Sequence, residues 1–325
     1  MRRRLFLVGG ALALAPSLAH AEQERRMARI GVLEAWAPSA FPHRLQAFRD
    51  GLRELGHLEG RTFVIEYRSA AGDGKALPAL AAELTRLEVD IIFAATTSTA
   101  LAAKDATRTI PIVIAVVAEP IGTGLIASLA HPGGNVTGLT TANTEITAKR
   151  MQLLHEFVGG ASRVGLLFNP EDASNLIFRK NAESGARTLG VAVRLFEAVD
   201  QRGIAAAFSR MEDERLDALM IAAGQLMDSE AKLITALAAK YRLPAIYGAP
   251  EFVDAGGLMS YSASFTDNFR RAAAYVDKIL KGALPGNIPV EQASTFEFIL
   301  NRRVATALGR EVPSSFLIQA TRIIE

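Results

Sequence analysis

"DIIFAATTSTALAAKDATRTIPIVIA", residues 90–115, is the stretch whose reading decides the fold. It sets an apolar run, four consecutive hydroxyl residues, an alanine-rich helical segment and, after Ile110-Pro111, a second apolar run in immediate succession. A β-branched run, a helix and another such run form the repeating unit of a parallel sheet covered by helices. The plan returns in "DALMIAAGQLMDSEAKLITALAAKYRLPAIYG", residues 217–248.

Outward from these stretches the alternation continues. Strands are expected at 28–34, 62–68, 90–94, 112–116, 163–168, 191–197, 216–222 and 245–247. Helices are expected at 44–55, 77–87, 148–158, 178–189 and 232–241. Gly56, Gly159-Gly160 and Gly190 mark helix ends that need a left-handed residue. The two halves echo each other at four ordered anchors. Arg29-Ile30-Gly31-Val32-Leu33 answers Arg163-Val164-Gly165-Leu166-Leu167, and Asp90-Ile91-Ile92 answers Asp217-Ala218-Leu219. Ala100-Leu101-Ala102-Ala103-Lys104 answers Ala236-Leu237-Ala238-Ala239-Lys240, and Ile110-Pro111-Ile112 answers Leu243-Pro244-Ala245. The expected architecture is α/β, with two similar doubly wound parallel-sheet lobes.

In such sheets a ligand sits beyond the carboxyl ends of the strands. The hydroxyl run Thr96-Thr97-Ser98-Thr99 falls there, at the start of a helix. One hydroxyl suffices for an N-cap. Four in a row also describe a loop that holds an anion with hydroxyls and unpaired backbone N–H groups.

Arg2, Arg3 and Arg4 precede an apolar stretch, residues 5–18, that ends in Ala19-His20-Ala21, the pattern of a secretory signal at 1–21. The stretch is shorter than the roughly 17–25 residues that span a bilayer. Arg3-Arg4-Leu5-Phe6-Leu7 also matches a twin-arginine leader. Cleavage after Ala21 leaves 304 residues with 33 basic against 34 acidic side chains, which is no nucleic-acid footprint. With no cysteine there is no disulfide, thiol chemistry or lipidated cysteine. The mature chain is therefore expected to be soluble, in the periplasm.

Catalytic constellations are hard to find. His20, His43, His57, His131 and His155 lack metal-ligand spacing, and there is no G-x-S-x-G elbow or phosphate-binding loop. Pro120-Ile121-Gly122-Thr123-Gly124-Leu125-Ile126-Ala127 fits G-x-G-x-x-A but follows the fourth strand instead of the first, so a tight turn feeding a helix is the better account. Asn135-Val136-Thr137 is formally a sequon behind the turn His131-Pro132-Gly133-Gly134, and Glu212-Asp213-Glu214 reads as a solvated turn. No cofactor and no metal is expected; the residues argue for binding without chemistry.

Phe48-Arg49-Asp50-Gly51-Leu52-Arg53-Glu54-Leu55-Gly56, Glu59-Gly60-Arg61 and Ile65-Glu66-Tyr67-Arg68 resemble the opening of ABC-transporter substrate-binding proteins of the tryptophan/tyrosine-binding-like group. Leu77-Pro78-Ala79-Leu80-Ala81-Ala82-Glu83-Leu84 and Glu119-Pro120-Ile121-Gly122-Thr123-Gly124-Leu125 continue the likeness. So do Pro132-Gly133-Gly134-Asn135-Val136-Thr137-Gly138 and Glu251-Phe252-Val253-Asp254-Ala255-Gly256-Gly257-Leu258-Met259-Ser260-Tyr261, which are specific to the group. The resemblance implies a type I periplasmic binding protein, with a hinge of crossing strands, a small-molecule ligand in the cleft, and delivery to an inner-membrane permease and its ATPase. Its lobes are expected at 28–140 with the return segment 248–325, and at 141–247. Members often carry Gly-Thr-Pro at Thr96-Thr97-Ser98, Asp-Pro at Glu119-Pro120, and a bulky basic segment at Gly248-Ala249-Pro250, so the ligand is expected to differ from theirs.

The preferred reading is a receptor for a carboxylate-bearing or amino-acid-like solute, and the alternative is an exported enzyme on a doubly wound scaffold. A micromolar complex needs about −8.2 kcal/mol, whereas a helix N-terminus gives an anion roughly 0.3–1. Both lobes must therefore contribute. Glu34, Trp36, Ser98, Thr99 and Glu119 are nominated from the first lobe, and Asn169, Ser174, Gln225 and Tyr247 from the second. Glu119 either pairs with a ligand cation or merely precedes Pro120 in a turn. Trp36 either stacks on the ligand or packs against Pro38 and Phe41.

Overall fold

The computed structural model describes residues 26–141 and 143–325; the expected leader at 1–21 lies outside the described residues. The first lobe begins β1 (Ala28–Glu34), α1 (Pro42–Glu54), β2 (Phe63–Ser69), α2 (Leu77–Arg86), β3 (Ile91–Ala94), α3 (Thr97–Ala106), β4 (Ile112–Val117) and β5 (Val136–Thr140). The chain then crosses into α4 (Asn143–Phe157), β6 (Arg163–Phe168), α5 (Ala173–Thr188), β7 (Ala192–Glu197), α6 (Gln201–Asp213), β8 (Ala218–Ile221), α7 (Gln225–Ser229), α8 (Ala231–Lys240), β9 (Ala245–Tyr247), α9 (Glu251–Asp254) and β10 (Met259–Ala263). α10 (Phe265–Leu280) and β11 (Glu291–Gln292) return to the first lobe, as the packing below shows. β12 (Phe296–Asn301), α11 (Arg302–Ala307), α12 (Ser314–Gln319) and β13 (Arg322–Ile324) complete the second.

The first sheet runs β11-β5-β4-β3-β1-β2 and the second β13-β12-β10-β9-β8-β6-β7. Read through their five core strands, the two orders are the same. The repeat anchors fall on β1 and β6, β3 and β8, α3 and α8, and the starts of β4 and β9. All pairs in the first sheet are parallel. Buried side chains cover both faces of each sheet, which is why the strands read as apolar runs without alternation. In the first lobe Phe48 stacks on Phe93 at 4.3 Å, with Phe269 of α10 edge-on at 5.2 Å.

α10 explains the crossings. Its stripe Phe269, Ala272, Ala273 and Val276 joins the core around Phe48 and Phe93, although it follows a strand of the other sheet. Buried Asn268 donates to the Ala115 carbonyl at 2.9 Å. At Gly51 of α1 an added Cβ would lie 2.4 Å from the Arg270 carbonyl oxygen, so only glycine allows this helix pair to pack so closely. The three crossing segments lie side by side: Ala293 N–H donates to the Thr140 carbonyl and Ser264 N–H to the Thr295 carbonyl. Ile146, Ala263 and Ala293 bury together there.

Two expectations need correction. The return segment 248–325 is expected in the first lobe, yet β10, β12 and β13 pair within the second sheet, and only α10 and β11 go back. The turn at 120–124 feeds no helix; the chain continues through turns and bends to β5. β5 itself occupies the sequon, with Thr137 buried and the Asn135 amide donating to the carbonyls of Thr107 and Ile110.

Candidate functional site

The carboxyl ends of both sheets face one cleft. β1 delivers Ala35 and Trp36, β3 delivers Thr96, Thr97 and Ser98, β8 delivers Ala223, Gly224 and Gln225, and β9 delivers Gly248. Asp172 and Ser174 come from the start of α5, and Phe178 from its second turn. Arg150 of α4 and Phe265 at the second crossing segment add to the walls.

The four hydroxyls divide their work. Thr96 is the N-cap of α3, and its hydroxyl and that of Thr99 form a reciprocal box, with Thr96 N–H donating to Thr99 Oγ1 at 3.0 Å. Thr97 Oγ1 accepts the Ala118 N–H at 3.2 Å and so braces the loop after β4. Ser98 lines the cleft, its hydroxyl 3.2 Å from that of Thr96.

Two opposite charges sit in the walls. Arg150 is buried and donates from Nε to the Tyr261 carbonyl at 2.6 Å and from Nη2 to the Gly248 carbonyl at 3.1 Å. Burial pulls its guanidinium down to about 10, which leaves it charged at neutral pH. Asp228 of α7 is buried too, its carboxyl pushed up to about 7 by burial and by Glu251, against the pull of Arg44. Asp172 is also raised by burial, while Ser174 holds it down through its N–H at 2.8 Å and its hydroxyl at 2.6 Å. No ion pair within 4 Å joins Arg150 to Asp228, although Asp228 bears on the guanidinium electrostatically and both line the cleft. Gly224 adopts a φ of 153°, and a Cβ there would lie 2.9 Å from Asp172 Oδ2, so glycine keeps this wall open.

The lobes touch across the cleft. Gln225 Nε2 donates to the Ala35 carbonyl at 3.3 Å, and Arg44 of α1 pairs with Glu251 of α9. The arrangement is closed. Among the described residues no group of His, Asp and Glu is placed to hold a metal ion, and no helix is long and apolar enough to cross a membrane.

The profile of the ABC transporter substrate binding protein family matches residues 29–324. The chain belongs to that family. A tyrosine-binding protein of Clostridioides difficile (strain R20291) is 24% identical over 287 residues, covering 88% of this chain and 82% of the relative. Among solved structures, the ABC domain in complex with L-Trp from Streptococcus pneumonia superposes with a TM-score of 0.86 at 24% identity, covering 92% of this chain and 100% of that one. A substrate-binding protein with adhesive properties from Clostridium difficile, in its ligand-free, open structure, gives 0.69 at 23% identity, covering 92% and 99%. The fold is that of a type I periplasmic binding protein.

In this substrate-binding protein Trp36, Ser98, Ser174 and Gln225 line the cleft. Asn169 is absent from those walls and lines an adjoining open pocket with Glu171 and Val199. Glu34 lies behind Trp36 in a small cavity with Tyr67 and Arg44. Thr99 is fully buried under the box it forms with Thr96, and Tyr247 is buried against Phe252 at 4.8 Å, so neither side chain reaches the cleft. Glu119 occupies a turn at φ 48° and is absent from the cleft walls. The sequence patterns single out none of Arg150, Asp172, Asp228, Phe178 and Phe265, which also line the cleft. Arg150 had a signal: helical spacing places it with Ile146, Leu153, Leu154 and Phe157 on the buried stripe of α4, where a lone guanidinium needs a reason.

Proposed function

We propose that the protein is the soluble, periplasmic receptor of an ABC importer and that it closes its lobes on a small α-amino acid with an aromatic or apolar side chain. The observation that carries this reading is the buried Arg150 and buried Asp228 facing one cleft without pairing. A zwitterion supplies both missing charges. The carboxylate is placed toward Arg150, Ser98 and the N-terminus of α3, and the ammonium toward Asp228, with Asp172 near it. Trp36, Phe178 and Phe265 offer ring faces for the side chain, worth about 0.5–1.5 kcal/mol each beyond area. The tyrosine- and tryptophan-binding relatives support the class, and the residues that differ from the group's usual pattern leave the side chain open. Capture feeds a permease and its ATPase, and no residue in the cleft is asked to make or break a bond.

The test is calorimetric titration with L-tyrosine, L-tryptophan, L-leucine and a sugar. Micromolar binding of at least one amino acid and none of the sugar is expected. Sugar binding with no response to any amino acid contradicts the reading.

A further inference from the structure

Arg44 is a buried cation that ligand capture, as described above, does not use. It shares the buried stripe of α1 with Ala47, Phe48, Gly51 and Leu52. Its guanidinium carbon stands 4.1 Å from the ring centroid of Phe41, 4.8 Å from that of Phe265 and 5.4 Å from that of Trp36. The last two rings belong to the cleft wall. Nη2 pairs with Glu251 across the lobes. Nε and Nη1 are buried without a hydrogen-bond partner, and so is Glu251 Oε2. The pair is thus an incomplete one, made by a group with five donors.

Opening the lobes separates α1 from α9. Phe41 of its own lobe still covers one face of the guanidinium, and a cation kept partly from water is disfavoured without a carboxylate, which favours an acceptor within that lobe. Among the described residues, Glu251 and Asp228 from the second lobe and Glu34 from its own bear on Arg44. Only Glu34 stays with Arg44 when the lobes part, and the two already line one small cavity together with Phe41 and Tyr67.

We propose that Arg44 is a positioning residue for closure that exchanges carboxylates, pairing with Glu34 of its own lobe when the lobes are apart and with Glu251 of the opposite lobe when they meet. The exchange sets the balance between the two forms and seats Trp36 and Phe265 against the cleft only in the closed one. In the closed form burial raises Glu34 to about 7 with Arg44 as the opposing influence, as expected of a carboxyl whose cation has turned to another partner. The exchange rests on the two-lobed capture proposed above, but it makes a claim that ligand identity does not touch. Removing Glu251 must favour the open form, and removing Glu34 must favour the closed one.

The chain has no cysteine, so exposed Arg86 of α2 and Arg202 of α6 can be replaced by cysteine and spin-labelled, one on each lobe. Inter-label distances are then measured without ligand in the wild type, Glu34→Gln, Glu251→Gln and, as a milder change, Glu251→Asp, after thermal unfolding shows each to be folded. Expected are longer distances for both Glu251 variants, less so for Glu251→Asp, and shorter ones for Glu34→Gln. With L-tyrosine as the calorimetric probe, Glu251→Gln should bind about three- to tenfold more weakly and Glu34→Gln about as much more tightly, through a shifted population. Unchanged distances in all variants, or shifts of one sign in Glu34→Gln and Glu251→Gln, overturn the exchange and leave Arg44 a structural ion pair. No heat from L-tyrosine counts against the proposed ligand class alone, since the distances still decide the exchange.

Discussion

Asp228 is held near half-protonation at neutral pH because burial raises its carboxyl to about 7. An ammonium needs the ionised form, so affinity for a zwitterion should rise roughly tenfold from pH 6 to pH 8. Asp228→Asn should weaken binding about ten- to a hundredfold, as loss of a charge-assisted hydrogen bond of roughly 1.5–3 kcal/mol implies, and should abolish that slope; calorimetry at the two pH values reads both. The same shift has the opposite sign for stability. Glu34 and Asp228 hold protons more tightly folded than unfolded, so their contribution is full below the unfolded value, near 4, and is lost as pH rises through about 7. Thermal unfolding of the ligand-free protein should therefore show a midpoint that falls between pH 5 and pH 8, with a flatter profile in Glu34→Gln. Ser98 and Thr99, expected from the sequence to act together, should separate. Ser98→Ala should weaken binding about three- to tenfold with an unchanged melting temperature. Thr99→Ala breaks the box with Thr96 and should cost about 1 kcal/mol of stability, as lost caps do, seen as a melting shift of about 2–4 °C. Equal effects of both substitutions on affinity would contradict this division. The hydroxyl run was legible as a helix start facing a ligand; which of the four faces it depends on rotamers that no sequence pattern encodes.

Strand–helix alternation is legible where each element is covered by its neighbours in sequence: β1, β6 and β9 have the expected bounds, β3, β4, β7 and α2 differ by one residue at one end, and α8 by one residue at each end. β5 was obscured because Gly138 interrupts its apolar run. That glycine has a φ of 134°, and a Cβ would meet the Ile114 carbonyl oxygen at 2.1 Å, so the break in pattern is the condition for β5 to pair with β4. The return of α10 to the first lobe was illegible for a different reason. Its apolar stripe is regular, but the partner helix α1 lies more than two hundred residues upstream and no local signal names the sheet it covers. Gly51 tests that packing. Alanine is favoured over glycine in a helix by about 1 kcal/mol, whereas forcing a methyl against the Arg270 carbonyl should cost about 1–3 kcal/mol. Gly51→Ala should therefore lower the melting temperature; a rise would show that α1 and α10 are less tightly apposed.

The proposed capture between two lobes makes the site a property of the whole molecule, since Arg150 and Asp228 belong to the second lobe while Ser98 and Trp36 belong to the first. Trp36 is the only tryptophan and is 7% exposed in the closed form, edge-on to Phe41 at 5.1 Å. Its emission, excited where L-tyrosine does not absorb, should change saturably as the lobes close on that ligand. Emission that stays constant through calorimetric saturation would place the ligand elsewhere. The repeat in the sequence foretells two lobes and one cleft; it does not foretell the charges, because Arg150 and Asp228 come from second-lobe helices outside the hydroxyl loop, and only the crossings bring that lobe against Ser98 and Trp36. The most direct test of the central claim is therefore one of charge. L-Tryptophan and L-tyrosine are titrated at pH 8 beside analogues lacking the carboxylate (tryptamine, tyramine) or the ammonium (indole-3-propionate, 4-hydroxyphenylpropionate). At least one amino acid should bind at micromolar concentration, with both of its single-charge analogues about a hundredfold weaker. Analogues that bind as tightly as the parent amino acid would contradict zwitterion capture between Arg150 and Asp228.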